Sequence, residues 1–352
     1  MSPILRWSQD ITRGREVVKI RTWTRPDCTH LGNMDGRGDM QNAAHIDAVD
    51  RSSVMSSVRI GTRAYVPSST GSSGMRVGLH VSILGSIDMA VERAVERQCD
   101  TFQIFTRNPR TWRFGELADG AVAFRRKVSS YGIWPVVVHM PYLPNLASPR
   151  QTIHSASVRS LLAEVKRCEV LNAPYLVAHL GSHLGAGAEV GSARIVQALS
   201  KALSKSGAKT TILLENTSGS RNSMGSSFED INDILIKVDN NVNVCFDTCH
   251  AFAAGYDMRG AAAVERTLEE LDDRIGLKRI KVVHINDSKG ALGSRLDRNE
   301  HIGLGKIGAG GFRGLFAHPR IREIPLILET PIDRRRDDYG NMRVVRKLAS
   351  IS

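Results

Sequence analysis

No apolar run in the 352-residue chain approaches the ~18 residues that a membrane span needs, and the N-terminus lacks the apolar core of a secretory signal. The expectation is a soluble, cytoplasmic protein with no membrane partner. Cysteine is sparse as well: five residues, an odd number and widely scattered, argue against a disulfide framework and for a reducing compartment. Acidic residues are outnumbered, 36 Asp and Glu against 48 Lys and Arg, and the net charge of +12 favours a polyanionic partner without identifying it. No glycine-rich dinucleotide fingerprint follows the first strand-like run, so a doubly wound nucleotide-binding sheet loses its main support. What remains is an ordinary soluble mixture, 41% hydrophobic and 24% charged, which removes collagen-like, wholly disordered and coiled-coil readings.

Residues 1–74 differ from the rest. Apolar residues there follow no sustained period, turn formers recur, and the segment closes in the linker-like run Ser68-Ser69-Thr70-Gly71-Ser72-Ser73-Gly74. They read either as a low-order extension or as an over-long translation start ahead of Met75. The remaining residues, 75–352, hold 38 basic and 29 acidic side chains, a net of +9, so the basic character lies mainly there.

From Met75 onward, short runs rich in Val, Ile and Leu recur at 76–81, 101–105, 135–139, 175–179, 211–215, 243–247, 281–286 and 324–329. Continuous apolarity over about five residues suits parallel strands covered on both faces. Amphipathic segments such as 87–99, 157–171, 193–204 and 264–275 lie between them and are long enough to be crossover helices. Eight such units predict an α/β protein, a (β/α)8 TIM barrel over 75–352 with the N-terminal extension before it.

Six of the eight runs carry a potential metal ligand at or near their ends: His139, His179, Glu215, Asp247, His284 and Glu329. In a parallel barrel the C-terminal strand ends converge on one face, so residues far apart in sequence would point into one crater. Any one of them alone is more often a loop anchor or a helix cap. Six together outweigh that reading. Three imidazoles and three carboxylates suit Zn2+ or Mn2+ and exceed what one tetrahedral ion needs, so two or more metals are expected. A carboxylate can bridge two cations and an imidazole cannot, which makes Glu215, Asp247 and Glu329 the candidate bridges. His250 lies three residues beyond Asp247, and Asp297 and His301 occupy a polar loop after the seventh run. Cys245 and Cys249 are spaced as CxxxC with the first inside a strand, and read as buried thiols.

These strings together closely resemble the endonuclease IV family of apurinic/apyrimidinic endonucleases. The resemblance spans essentially all of 75–352, through GLHVS at 78, FTRNPRTWR at 105, HMPYLPNLA at 139, HLGSH at 179, LLENTSG at 213, CFDTCHAFAAGYD at 245, HINDSK at 284 and LILET at 326. It implies a barrel with three zinc ions that cleaves duplex DNA 5′ to an abasic site in base excision repair, leaving a 3′-hydroxyl, with 3′-end-cleaning activity. By the same resemblance His139, His179 and Glu215 hold one zinc, Glu215, Asp247, His284 and Glu329 hold a second, and His250 and Asp297 match ligands of the third. It further implies a monomer associated with the nucleoid. One departure stands out. The family usually has a His two residues after the loop aspartate, where this chain has Asn299. An amide oxygen is a harder and weaker zinc ligand, so the third site is expected to be looser, to favour another metal, or to recruit His301.

Recognition of an abasic site independent of sequence needs phosphate contacts and side chains that occupy the gap left by the missing base. The FTRNPRTWR stretch supplies Arg107, Arg110, Arg113 and Trp112, and Tyr142 and Leu143 follow His139. By resemblance, Arg110 and Tyr142 hold the wedging positions. His80 and His183 read as packing or supporting residues. A metal-dependent sugar isomerase or epimerase is the main competing reading, and a catalytically silent DNA-damage binder the other. The Arg/Trp loop, the extra His250 and Asp297, and the +9 barrel favour DNA over a sugar.

Overall fold

The computed structural model describes residues 74–115, 117–205, 209–238 and 241–351, and the expectation for residues 1–74 lies, Gly74 aside, outside them. Eight parallel strands close a barrel: β1 (Val77–His80), β2 (Thr101–Ile104), β3 (Val136–His139), β4 (Tyr175–His179), β5 (Thr211–Glu215), β6 (Val242–Asp247), β7 (Ile280–His284) and, after a two-stranded antiparallel hairpin of β8 (Asp287–Ser288) and β9 (Asn299–Glu300), β10 (Leu326–Leu328). The eight apolar runs are these eight strands, each within two residues at either end. The outer helices are α1 (Met89–Glu96), α2 (Ala118–Tyr131), α3 (Gln151–Leu171), α4 (Ala188–Leu203), α5 (Phe228–Leu235), α6 (Thr248–Ala254), α7 (Ala261–Arg274), α8 (Gly308–Ala317), α9 (Pro319–Arg322) and α10 (Asp338–Ser350).

Strand side chains alternate faces with period two, and here the alternation separates two cores. Val136, Val138, Leu176, Leu214, Phe246 and Val283 belong to the large cluster between strands and helices. The intervening positions Val137, Val177, Leu213, Cys245, Val282 and Ile327 form a small, fully buried cluster inside the barrel. Gly78 sits on the inner face of β1, where a Cβ would lie 1.7 Å from the Thr101 carbonyl oxygen, so only glycine lets β1 and β2 close there. The four described cysteines, Cys99, Cys168, Cys245 and Cys249, are buried thiols outside any disulfide, as the spacing of the last two suggests.

Candidate metal centre

Moving two residues along each strand from the interior cluster, toward the strand's C-terminal end, keeps the side chain inside and raises it one layer. Val137 leads to His139, Val177 to His179, Leu213 to Glu215, Cys245 to Asp247, Val282 to His284 and Ile327 to Glu329. The remaining strands contribute His80 and Gln103 at the same level, paired in register. All eight strands therefore deliver a polar side chain to one end of the barrel, the end where barrel enzymes place their sites.

The six expected ligands converge there as two groups that share one residue. Ligand atoms of His139, His179 and Glu215 lie within 4.8 Å of one another, and so do those of Glu215, Asp247, His284 and Glu329. Glu215 divides its carboxylate between them. Its Oε2 lies 3.2 Å from His139 Nε2 and 2.8 Å from His179 Nε2, while its Oε1 lies 3.0 Å from His284 Nδ1. His284 Nδ1 is also 3.4 Å from Glu329 Oε2 and 3.8 Å from Asp247 Oδ2. Of the three candidate bridges, Glu215 is the one that occupies both groups.

Hydrogen bonds orient the imidazoles. His139 Nδ1 donates to the Met140 carbonyl at 2.7 Å, leaving Nε2 facing Glu215. His250 Nδ1 donates to the Asn216 carbonyl at 2.9 Å, leaving Nε2 3.3 Å from Asp297 Oδ1. His284 Nε2 donates to Gln103 Oε1 at 2.9 Å, so Nδ1 is the nitrogen turned to the carboxylates. Such outer partners fix the tautomer of a ligating histidine and raise its basicity. The carboxylates are held too. Asp247 Oδ1 caps α6 by accepting from the His250 backbone N–H, and its Oδ2 accepts from Asn286 Nδ2, both at 2.7 Å. Gln103 Nε2 donates to Glu329 Oε1 at 2.7 Å, and the Glu329 backbone N–H donates to Asn286 Oδ1 at 2.9 Å.

The charges are strongly coupled. Burial alone would push Glu215 up, but the His179 and His284 charges and the hydrogen bonds from His139 and His179 hold it well below the usual carboxylate range. Burial raises Asp247 to about 6. His250 resists burial because Asp247 first, then Asp297 and Glu215, raise it to about 10. His179, His250 and His284 are all raised by the carboxylates around them, and it is this positive charge that divalent cations would replace.

The donor set fits zinc. With bonds of ~2.0–2.1 Å, tetrahedral zinc needs donor atoms a little over ~3 Å apart, and the separations of 2.8–3.8 Å bracket that requirement. Asn299 Oδ1 adds a buried polar atom without a hydrogen-bond partner at the rim of the same cavity.

A model of the xylose isomerase-like TIM barrel family matches residues 91–348. A probable endonuclease 4 from Methanoculleus marisnigri is 55% identical over 277 residues, 78% of this chain and 98% of that protein. The chain belongs to the endonuclease IV family. Endonuclease IV from Thermus thermophilus, a crystal structure 37% identical, covers 79% of this chain and 100% of its own with a TM-score of 0.71. A D-tagatose 3-epimerase-like protein is 21% identical with a TM-score of 0.62, covering 79% and 98%, a likeness of fold alone.

Endonuclease IV membership frames how the remaining expected residues fall. Arg110 and Arg113 are exposed and Trp112 half-buried on the loop after β2. Tyr142 is 59% exposed at the cavity rim, its ring edge-on to Phe105 at 5.1 Å, and Leu143 stands beside it at 38%. Arg107 differs from expectation. It is buried, with Nε 2.6 Å from Glu164 Oε1, Nη2 2.7 Å from Ser160 Oγ and Nη1 2.6 Å from the Thr111 carbonyl, so it braces the loop and has no surface to offer a phosphate. His301 also departs. Its Nε2 is 3.0 Å from Asp333 Oδ1 and its Nδ1 3.0 Å from Asn341 Nδ2, so both nitrogens are taken and recruitment to the third site fails on geometry. His80 supports Gln103 at 2.9 Å, and His183 Nδ1 accepts from the backbone N–H of Gly185 and Gly187. Gln103, Asn216 and Asn286 are the residues sequence reasoning missed. Gln103 carried a usable signal, a polar residue in the middle of an apolar strand.

Proposed function

We infer that the chain is an apurinic/apyrimidinic endonuclease of DNA repair, a metal-dependent phosphodiester hydrolase that cuts duplex DNA on the 5′ side of an abasic site. The products are a 3′-hydroxyl and a 5′-deoxyribose phosphate, and the same centre cleans blocked 3′ ends. The observation that carries this reading is the division of Glu215 between two donor groups, since a bridging carboxylate suits a pair of cations and the pair suits an in-line attack on phosphorus.

His139, His179 and Glu215 would hold one zinc and Glu215, Asp247, His284 and Glu329 a second, with His250 and Asp297 serving a third. Bound zinc would lower the pKa of a water and offset charge developing on the phosphoryl oxygens. The chain's own residues do the rest. Gln103, Asn216 and Asn286 hold the ligands in place, so the carboxylates need not reorganise as charge shifts. A cavity of about 390 Å³ opens above them, lined by His80, Phe105, Tyr142 and Thr330 among others. Its volume falls within the range of small-ligand sites, enough to admit a sugar-phosphate unit extruded from the duplex. Arg110 and Tyr142 then occupy the space it leaves, Trp112 and Leu143 shape the rim, and the basic barrel supplies attraction for phosphates. One chain provides every ligand, which suits a monomer, and a DNA substrate suits a cytoplasmic protein associated with the nucleoid. Among the described residues no helix is long and apolar enough to cross a membrane.

A duplex carrying one abasic site, incubated with and without a chelator, tests the reading. The expected result is a single nick 5′ to the site that the chelator abolishes. An intact strand in the metal-loaded protein, or epimerisation of a ketose in its place, would overturn it.

A further inference from the structure

Three side chains around the outer part of the cavity do not belong to the two groups sharing Glu215. His250 presents Nε2, Asp297 presents Oδ1 3.3 Å away, and Asn299 lines the same cavity. We propose that these three form a third cation position that binds zinc weakly and exchanges it freely, while the two positions joined at Glu215 retain theirs. The proposal rests on the metal-centre reading above and adds an order of occupancy to it.

The orientation of Asn299 is decided by its neighbour. Its Nδ2 donates to the Glu329 backbone carbonyl at 3.2 Å, and the reversed amide would set two oxygens against each other there. Oδ1 therefore faces away from Glu329, and it is buried with no partner in the protein. A buried carbonyl oxygen of this kind calls for a donor or a cation. β9 fixes the backbone that carries it, because Asn299 pairs with Ser288 in the hairpin.

Donor chemistry sets the order of affinity. The first group offers two imidazoles and a carboxylate, and the second an imidazole and three carboxylates. The third offers one imidazole, one carboxylate and one neutral amide oxygen, hence no more charge than the first, one imidazole fewer, and in the amide the poorest zinc donor of the set. Asp297 is half-exposed, which screens its charge further. Losing only an outer hydrogen-bond partner lowers metal affinity about 10–100-fold, and replacing a ligating nitrogen by a neutral oxygen acts on the bond itself. His301 cannot compensate, because it is engaged by Asp333 and Asn341.

The test uses the full chain loaded with zinc, stepped through increasing chelator strength, with metal per protein read by elemental analysis. One equivalent is expected to leave at free zinc about 100-fold higher than the other two, Asn299→His to bring its loss toward theirs, and Asn299→Ala to lower its retention again. Simultaneous loss of all three from the parent, or equal behaviour of parent and Asn299→Ala, overturns the weak-site proposal while leaving the two-group centre standing. Failure of the parent to retain two equivalents would instead overturn the metal-centre reading itself.

Discussion

Replacing Glu164 by alanine removes the partner of a charge that has nowhere to go. The Arg107–Glu164 pair is 2.6 Å apart with side chains 4% and 0% exposed, so the guanidinium left behind could not rehydrate without opening the α3 face. It would keep Ser160 Oγ and the Thr111 carbonyl, neither of which is charged, and Thr106 Oγ1 would lose its acceptor at 2.6 Å. Breaking a buried pair from one side costs about 3–5 kcal/mol, whereas an exposed pair is worth about 0–1 kcal/mol. The expected loss is therefore about 3–5 kcal/mol, seen in urea unfolding at fixed metal content and as a fall of roughly 6–15 °C in the melting midpoint. Function should follow stability for a stated reason. Thr106 and Arg107 root the loop that carries Arg110 and Trp112, so binding to abasic duplex should weaken while metal content stays unchanged. Pairing the mutation with Arg107→Met should recover part of the stability without restoring the binding. A loss below about 1 kcal/mol would refute the reasoning, since the pair would then behave like a surface bridge.

Glu215→Gln should nearly abolish strand cleavage while sparing binding to abasic DNA, and a mutant that cleaves within about tenfold of the parent, a barrier change of about 1.4 kcal/mol, at equal metal content would refute the bridging role. Arg110→Ala and Tyr142→Ala should weaken discrimination between abasic and intact duplex with the bound metals unchanged, and undiminished discrimination in both would end the wedge assignment. Burial pushes the Cys99 thiol from its ordinary value near 9 up to about 12, and a group raised on folding stabilises the fold below its unfolded value and loses that contribution as pH climbs to the folded one. Stability should accordingly decline between about pH 9 and 12, and alkylation of Cys99 at pH 8 should be as slow as unfolding. Fast labelling of the folded protein would contradict its burial. Deleting residues 1–74 should leave melting temperature and cleavage essentially intact, and a large fall in the midpoint would show that they pack on the barrel.

The six candidate ligands were legible because they break a pattern. A buried parallel strand wants apolar side chains on both faces, so a His, Glu or Asp at its C-terminal end stands out against Val, Ile and Leu. Period-two alternation then places it inside, and the barrel brings the six together. Gln103 obeys the same logic in the middle of β2, yet it ligates nothing itself, so a search for metal donors passes over it. Asn216 and Asn286 follow strand ends in strings whose polar residues have many possible uses, and what they hold becomes visible only as hydrogen bonds to Asp247 and Glu329. Arg107 was misread for a different reason. Its partner lies 57 positions away on α3, and a basic residue among other basic residues reads as solvated. The overlooked signal was Glu164 itself, flanked on the buried face of α3 by Leu161, Val165 and Cys168.

Asn299 and His301 show why spacing along a loop cannot replace the path of the chain. Residues two apart share a face only while the backbone stays extended, and β9 stops at Glu300 after two residues. Asn299 remains beside β8 and lines the cavity. One residue past the strand, the chain turns toward Ile302 and Gly303, whose backbone N–H groups are claimed by Asn341 and by the buried Asp287. His301 goes with that turn into a buried pocket of its own, where Asp333 and Asn341 take both ring nitrogens. The imidazole closest in sequence to Asn299 is thus one that the fold engages elsewhere. A cation held as proposed by His250, Asp297 and Asn299 would take any further ligand from water or substrate and not from His301, which would tie its occupancy to what the cavity holds.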